Sequence, residues 1–253
     1  MPATLNELMI SKKKILFPSA IILLSLCIFS FSKLNSDNEN FVTYTVDLKR
    51  QNLKLYWRDD KNELFRSLGN LKQWLAKRNE ILLFAMNAGM YQTDNSPLGL
   101  FIQDKKIIAE VNKRSGNGNF YLKPNGILFT TVDNVAGITR TEDFASNNKI
   151  KYATQSGPML MINKEINSTF VSSSKNLNIR NGVGILPNGN LVFAMSKQEV
   201  NFYAFAKHFK DIGCINALYL DGFVSRTYLP EKNWKQEDGN FGVMVGVSQK
   251  DSR

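Results

Sequence analysis

From Ile81 onward the sequence is a succession of short apolar runs: ILLFAM, GILF, MLMI, GVGIL, LVFAM, ALYL and FGVMVGVS. Each is stopped within a few residues by Asn, Gly, Pro, Ser or Asp. Runs of that length suit strands and are too short for helices. From Leu98 onward the chain is therefore read as short strands joined by turns. Val42, Tyr44, Val46 and Leu48 alternate, as do Leu53, Leu55 and Trp57, which predicts a hairpin across the intervening polar break. Pro124-Asn125-Gly126 and Pro187-Asn188-Gly189 supply turn chemistry for two more.

Two segments carry a helical period instead. Leu64, Leu68, Leu71 and Leu75 fall on one face of residues 63–78. The second helix lies between Ser196, which stands three residues before Glu199 in capping-box spacing, and Gly213, a C-terminal stop. Its apolar face is Phe202, Phe205, Ala206 and Phe209, and His208 is read as a partly exposed residue of this helix. A strand precedes this helix and a strand follows it, an order that favours a parallel crossover. The expected fold is α/β: a single domain with a mixed sheet, several β-hairpins and a strand–helix–strand crossover unit.

The N-terminus sets the domain limits. Lys12-Lys13-Lys14 precede Ile15 to Ser32, which carries no charge. A positive region followed by an apolar one is the layout of an export signal, and the run is close to the roughly 17–25 residues that span a bilayer. Residues 1–32 are read as an export signal or N-terminal membrane anchor, 33–40 as a linker, and 41–253 as the folded domain. The lysines stay on the cytoplasmic side. The expectation is an exported, periplasmic or extracytoplasmic protein, tethered to the inner membrane through residues 15–32 if that segment is kept. Beyond the export segment only Cys214 remains, so no intrachain disulfide supports the fold.

A net charge of +10 favours anionic partners. The cations are scattered and no nucleic-acid motif is present, so nucleic acid is not expected as a partner. With His208 as the single histidine, HExxH sites, multi-histidine zinc sites and a Ser-His-Asp triad are set aside. The glycine-rich SGNGNF at Ser115 lacks the lysine of a phosphate-binding loop. No metal or cofactor is expected. What remains is a set of polar residues at strand ends: Asn87 after ILLFAM, Ser156-Gly157 before MLMI, Arg180 before GVGIL and Asp221 after ALYL. Ligands collect where strand ends and loops converge. Each of these residues can also serve as an ordinary turn former or strand-edge charge.

The phrases NAGMY, GNFYLKPNGILF, QSGPMLMI, RNGVGILPNG and NALYLDG, in that order, resemble the phosphodiester glycosidase domain family over roughly residues 41–248. The resemblance implies a hydrolase that cleaves the glycosidic C–O bond of a sugar-1-phosphodiester, with a phosphate-bearing glycan of the cell envelope or exterior as partner. It also implies a site: Asp221, Arg180 and Asn87 as catalytic residues, and Gly89, Tyr91, Ser156, Gly157, Gly222 and Ser225 as substrate-binding ones. In such a site a carboxylate faces the anomeric carbon and a guanidinium holds the phosphate. Phe223-Val224 stands where the family has two glycines. Asp94 is the nearest second carboxylate, with a turn role as its alternative. Two other functions compete: a non-catalytic envelope module binding anionic glycans, and a metal-dependent phosphodiesterase, which the dearth of His and clustered carboxylates disfavours.

Overall fold

The computed structural model describes residues 40–221 and 224–252. The export segment, the linker apart from Asn40, Gly222 and Phe223 all lie outside these residues. No helix among the described residues is long and apolar enough to cross a membrane.

Three sheets form the domain. The first is six-stranded, in the order β1 (Phe41–Val46), β12 (Leu191–Ser196), β11 (Asn181–Ile185), β13 (Asn216–Asp221), β9 (Met159–Ile162) and β10 (Glu165–Ile166). The second runs β15 (Trp234–Lys235), β14 (Thr227–Leu229), β3 (Glu80–Asn87), β16 (Met244–Lys250) and β2 (Asn52–Tyr56). The third runs β5 (Lys106–Ala109), β4 (Phe101–Gln103), β8 (Ile150–Ser156), β6 (Gly126–Thr131) and β7 (Ala136–Arg140). Two α-helices, α1 (Leu68–Ala76) and α2 (Phe202–Asp211), and two short 3-10 helices, Asn119–Tyr121 and Pro230–Lys232, complete the described elements.

Side-chain alternation explains how these layers stack. Leu218 and Leu220 of β13, Phe193 and Met195 of β12 and Val183 of β11 point into a central core. Phe84 and Met86 of β3, Leu128 of β6 and Tyr152 of β8 meet them there, so all three sheets share it. The opposite faces have covers of their own. Phe205, Ala206 and Phe209 of α2 pack on Ala194, Ala217 and Tyr219, while Leu68, Leu71 and Leu75 of α1 pack on Leu82 and Ala85. Helix α2 lies close to β11 because that strand offers glycine there: a Cβ at Gly184 would sit 2.5 Å from Cys214 Sγ and 2.7 Å from Phe209.

The expected α/β fold with a mixed sheet is corrected: among the described residues every strand pair is antiparallel and the architecture is mostly β. Strands β12 and β13, which flank helix α2 in sequence, do run in the same direction within one sheet, but β11 lies between them and pairs antiparallel with both, so the crossover makes no parallel pair. The misreading has a physical cause. Continuous apolar runs usually mark parallel strands covered on both faces; here antiparallel strands of the first two sheets are covered on both faces, by the central core and by a helix. Nor do the first two strands form a hairpin, since β1 pairs with β12 and β2 with β16. Ser196 is not a helix cap: it ends β12, and its hydroxyl accepts from Arg180 N at 2.9 Å. The cap of α2 is Asn201, whose Oδ1 accepts from Ala204 N at 2.8 Å.

His208 is also more buried than expected, at 3% exposure, with its ring stacked 3.9 Å from that of Phe41. Among the described residues neither ring nitrogen has a hydrogen-bond partner. Burial lowers its pKa from 6.5 to about 4, against a smaller opposing pull from Asp211. The unfolded chain therefore takes up this proton at a higher pH than the folded chain does. Stability from this group is intact above pH 6.5, falls between 6.5 and 4, and levels off below, for a total loss of roughly 3 kcal/mol. Urea unfolding at pH 7, 5 and 4 should show this loss, and His208→Phe should remove it.

Candidate active site

Four polar residues at strand ends bring the three sheets together at one point. Asn87 closes β3, Ser156 closes β8, Asp221 closes β13 and Asn181 opens β11. All four are buried.

The Asn87 amide is saturated. Its Nδ2 donates to Asp221 Oδ2 and to Val224 O, both at 2.8 Å. Its Oδ1 accepts from Asn181 Nδ2 and Arg226 N, both at 2.9 Å. Two donors and two lone pairs are all that a carboxamide has. Asn87 is therefore locked onto the carboxylate, with no donor or acceptor left for a sugar. Asn181 ties the arrangement together, since its Oδ1 accepts from Asp221 N at 2.9 Å and its Nδ2 also donates to Asn87 O at 2.8 Å.

Asp221 follows an irregularity in the ladder. Asn181 faces Asp221 and Gly182 faces Tyr219, so Leu220 is an extra residue on β13. A bulge of this kind re-aims the side chain that follows it. The surrounding backbone is clamped by two buried hydroxyls. Ser156 Oγ donates to Leu220 O at 2.7 Å, and Ser225 Oγ lies 3.2 Å from both Ile179 O and Asp221 O. Tyr91 is half-buried, and its pKa is raised first by burial and then by the Asp221 charge. Close packing explains the two described glycines. A Cβ at Gly89 would lie 2.5 Å from Thr154 Oγ1, and one at Gly157 would lie 2.6 Å from Asn125 Cβ. The Ala88 N–H is used by Val243 O.

Arg180 is placed differently. It precedes β11, and its side chain goes to the helix side while that of Asn181 goes to Asn87. Its Nε donates to Val200 O at 2.8 Å, its NH2 group to Asn176 O at 2.9 Å, and its NH1 group to Tyr219 OH at 3.2 Å. The guanidinium lies 3.7 Å over the Phe202 ring. Burial lowers its pKa, and no carboxylate among the described residues pairs with it. Asn87 and Asp221 thus meet directly, and the guanidinium of Arg180 faces Tyr219 instead. Gly222 lies outside the described residues. Asp94 sits in an exposed turn, where Ser96 donates to it from both Oγ and N and so holds its pKa down. No three His, Cys, Asp or Glu side chains come together as metal ligands among the described residues.

Sequence reasoning missed Asn181. The signal was parity: Val183 and Ile185 point into the central core, and counting back by twos puts Asn181, not Arg180, on that side.

A family model described as phosphodiester glycosidase matches residues 81–247. The chain belongs to the phosphodiester glycosidase family. It is 36% identical over 208 residues to the uncharacterized protein YigE of Escherichia coli, covering 82% of this chain and 81% of that one. Among solved structures, it resembles the catalytic domain of zebrafish N-acetylglucosamine-1-phosphodiester alpha-N-acetylglucosaminidase, auto-inhibited by its pro-peptide. That match has 16% identity, covers 82% of this chain and 88% of the other, and gives a TM-score of 0.52. A hypothetical protein from Synechocystis matches with 13% identity over 83% of this chain and 60% of its own, at a TM-score of 0.54. At these identities the structural likeness shows a shared fold alone. Membership of the family points to phosphodiester glycosidase chemistry, and Asn87, Asp221 and Asn181 all lie within the matched span.

Proposed function

We propose that this protein hydrolyses the C1–O bond of a sugar-1-phosphodiester, with Asp221 as the carboxylate facing the anomeric carbon. The observation that carries this reading is the buried Asn87–Asp221 pair, held by a saturated amide where three sheets meet in a chain of this family. As the C1–O bond breaks, its electron pair leaves with the phosphate and positive charge develops on the sugar ring. A fixed carboxylate stabilises that charge or attacks C1; water then adds its oxygen to C1, displacing Asp221 where that bond has formed, and its proton passes to solvent. A phosphate ester departs as a stable anion, so no histidine acid is needed. Asn87, Asn181, Ser156 and Ser225 act as positioning residues that hold Asp221 and its backbone.

The departing phosphate is assigned to the amides of Gly89 and Gly157 and to the field of Arg180. A buried guanidinium with neutral partners acts over a longer range than an exposed, screened one. Tyr91 is assigned to the wall of the sugar pocket. Residues 1–32 are assigned to export, so that the substrate is a phosphate-bearing glycan outside the cytoplasm.

Hydrolysis of sugar-1-phosphodiesters in ¹⁸O water tests the reading. The label is expected in the released sugar. Label in the phosphate would mean P–O cleavage, and a thermal shift without product would mean a glycan-binding module; either result defeats the proposal.

A further inference from the structure

A cleft of about 350 Å³ lies between Gln92 and Leu98 on one wall and Asn112, Lys113 and Arg114 on the other. Gln92 directly follows Tyr91, whose hydroxyl feels the Asp221 charge. The opposite wall is pinned by Gln155, the neighbour of Ser156 in β8. Gln155 is 1% exposed. Its Oε1 accepts from Leu100 N at 3.0 Å and Asn112 N at 2.9 Å, and its Nε2 donates to Asn112 O at 2.7 Å and Thr141 Oγ1 at 3.3 Å. One buried amide thus spends its full capacity on joining both walls to the strand that ends beside Asp221. Gly99, at φ +95, makes this closure possible, because a Cβ there would lie 2.5 Å from Gln155 Oε1.

The network ends on a cation. Asn112 Oδ1 accepts from Arg114 N at 3.1 Å and Arg114 Nε at 3.3 Å. No partner among the described residues engages the terminal nitrogens of Arg114 or the ammonium of Lys113. Glu110 is the one acidic residue in the lining, and it pairs with neither. Exposed cations on loops are common. A guanidinium tethered through Nε by a chain of buried amides, with its fork left open, is arranged for an anion.

We infer that this cleft is a second anion subsite, taking a further phosphate on the aglycone side of the scissile phosphodiester. The substrate class is then a sugar-1-phosphate whose aglycone is itself phosphorylated, whether as a diphosphate ester or as a phosphodiester one unit further on. This rests on the hydrolase reading of Asp221.

The test compares the wild-type chain with a Lys113→Gln/Arg114→Gln variant on a one-phosphate diester, a sugar-1-diphosphate ester and a diester with a second phosphodiester beyond it. The expected result is a loss of kcat/KM at least tenfold larger on one or both two-phosphate substrates than on the one-phosphate substrate. Whichever shows the gap identifies the source of the second phosphate. Equal losses on all three overturn the inference. Calorimetry with inorganic tripolyphosphate requires no turnover: wild-type binding that weakens at least tenfold in the variant supports the subsite, and absent or unaltered binding overturns it. If tripolyphosphate binds as expected and no substrate is hydrolysed, the hydrolase reading fails and the subsite stands.

Discussion

An Asp221→Asn chain is expected to fold normally and to lose on the order of a thousand-fold in kcat on sugar-1-phosphodiesters, the size of effect seen when one preorganised electrostatic group at a reacting centre is removed. The substitution keeps volume and shape. Two main-chain hydrogen bonds at this position survive it: Asp221 N donates to Asn181 Oδ1 and Asp221 O accepts from Ser225 Oγ. Asn87 Nδ2 can donate to an amide oxygen as it does to Oδ2. What disappears is the negative charge opposite the developing positive charge on the sugar. With shape, volume and these main-chain bonds kept, the melting temperature is expected to stay close to that of the wild type. Circular dichroism, Tm and kcat at saturating substrate check the three parts together. A folded variant that turns over at the wild-type rate would remove Asp221 from the mechanism.

The two halves of this site were not equally legible in the sequence. Asn87 and Asp221 could be picked out because each puts a polar side chain at the end of an apolar run, and burial there needs a reason. Their partnership could not, because residues 134 apart in sequence carry no local sign of meeting. Strand positions were readable from local pattern, but strand partners were not. Alternation over Val42–Leu55 is equally consistent with a hairpin and with strands that join two different sheets, as β1 and β2 do. The antiparallel sheets were hidden by double-sided burial, which erases the polar face that normally marks them. His208 was within reach of pattern alone, since it lies three residues from Phe205 on the buried side of α2. For Arg180 the local sequence marks a charge at a strand entry but not its direct partners, Val200 O, Asn176 O and Tyr219 OH, which strand parity counted from Val183 and Ile185 places on the helix side.

Arg180 therefore yields the second large effect, and two variants separate its roles. Arg180→Lys keeps the charge and loses the fork. A lysine ammonium cannot reach Val200 O, Asn176 O and Tyr219 OH at once, nor lie flat on the Phe202 ring. With hydrogen bonds from a charged donor contributing about 1.5–3 kcal/mol each, loss of two of them should lower unfolding free energy by on the order of 4 kcal/mol. That is a large part of the roughly 5–15 kcal/mol typical of a domain. Urea titration would show it as a lower midpoint at similar slope. Arg180→Met destabilises comparably and also removes the charge. If the guanidinium serves the phosphate through its field, Arg180→Lys should slow phosphodiesters and simple glycosides alike, measured at a temperature where both variants are folded. Arg180→Met should slow phosphodiesters about tenfold more than glycosides. Equal losses on both substrate classes in Arg180→Met would make Arg180 a structural brace and leave the phosphate to the backbone amides.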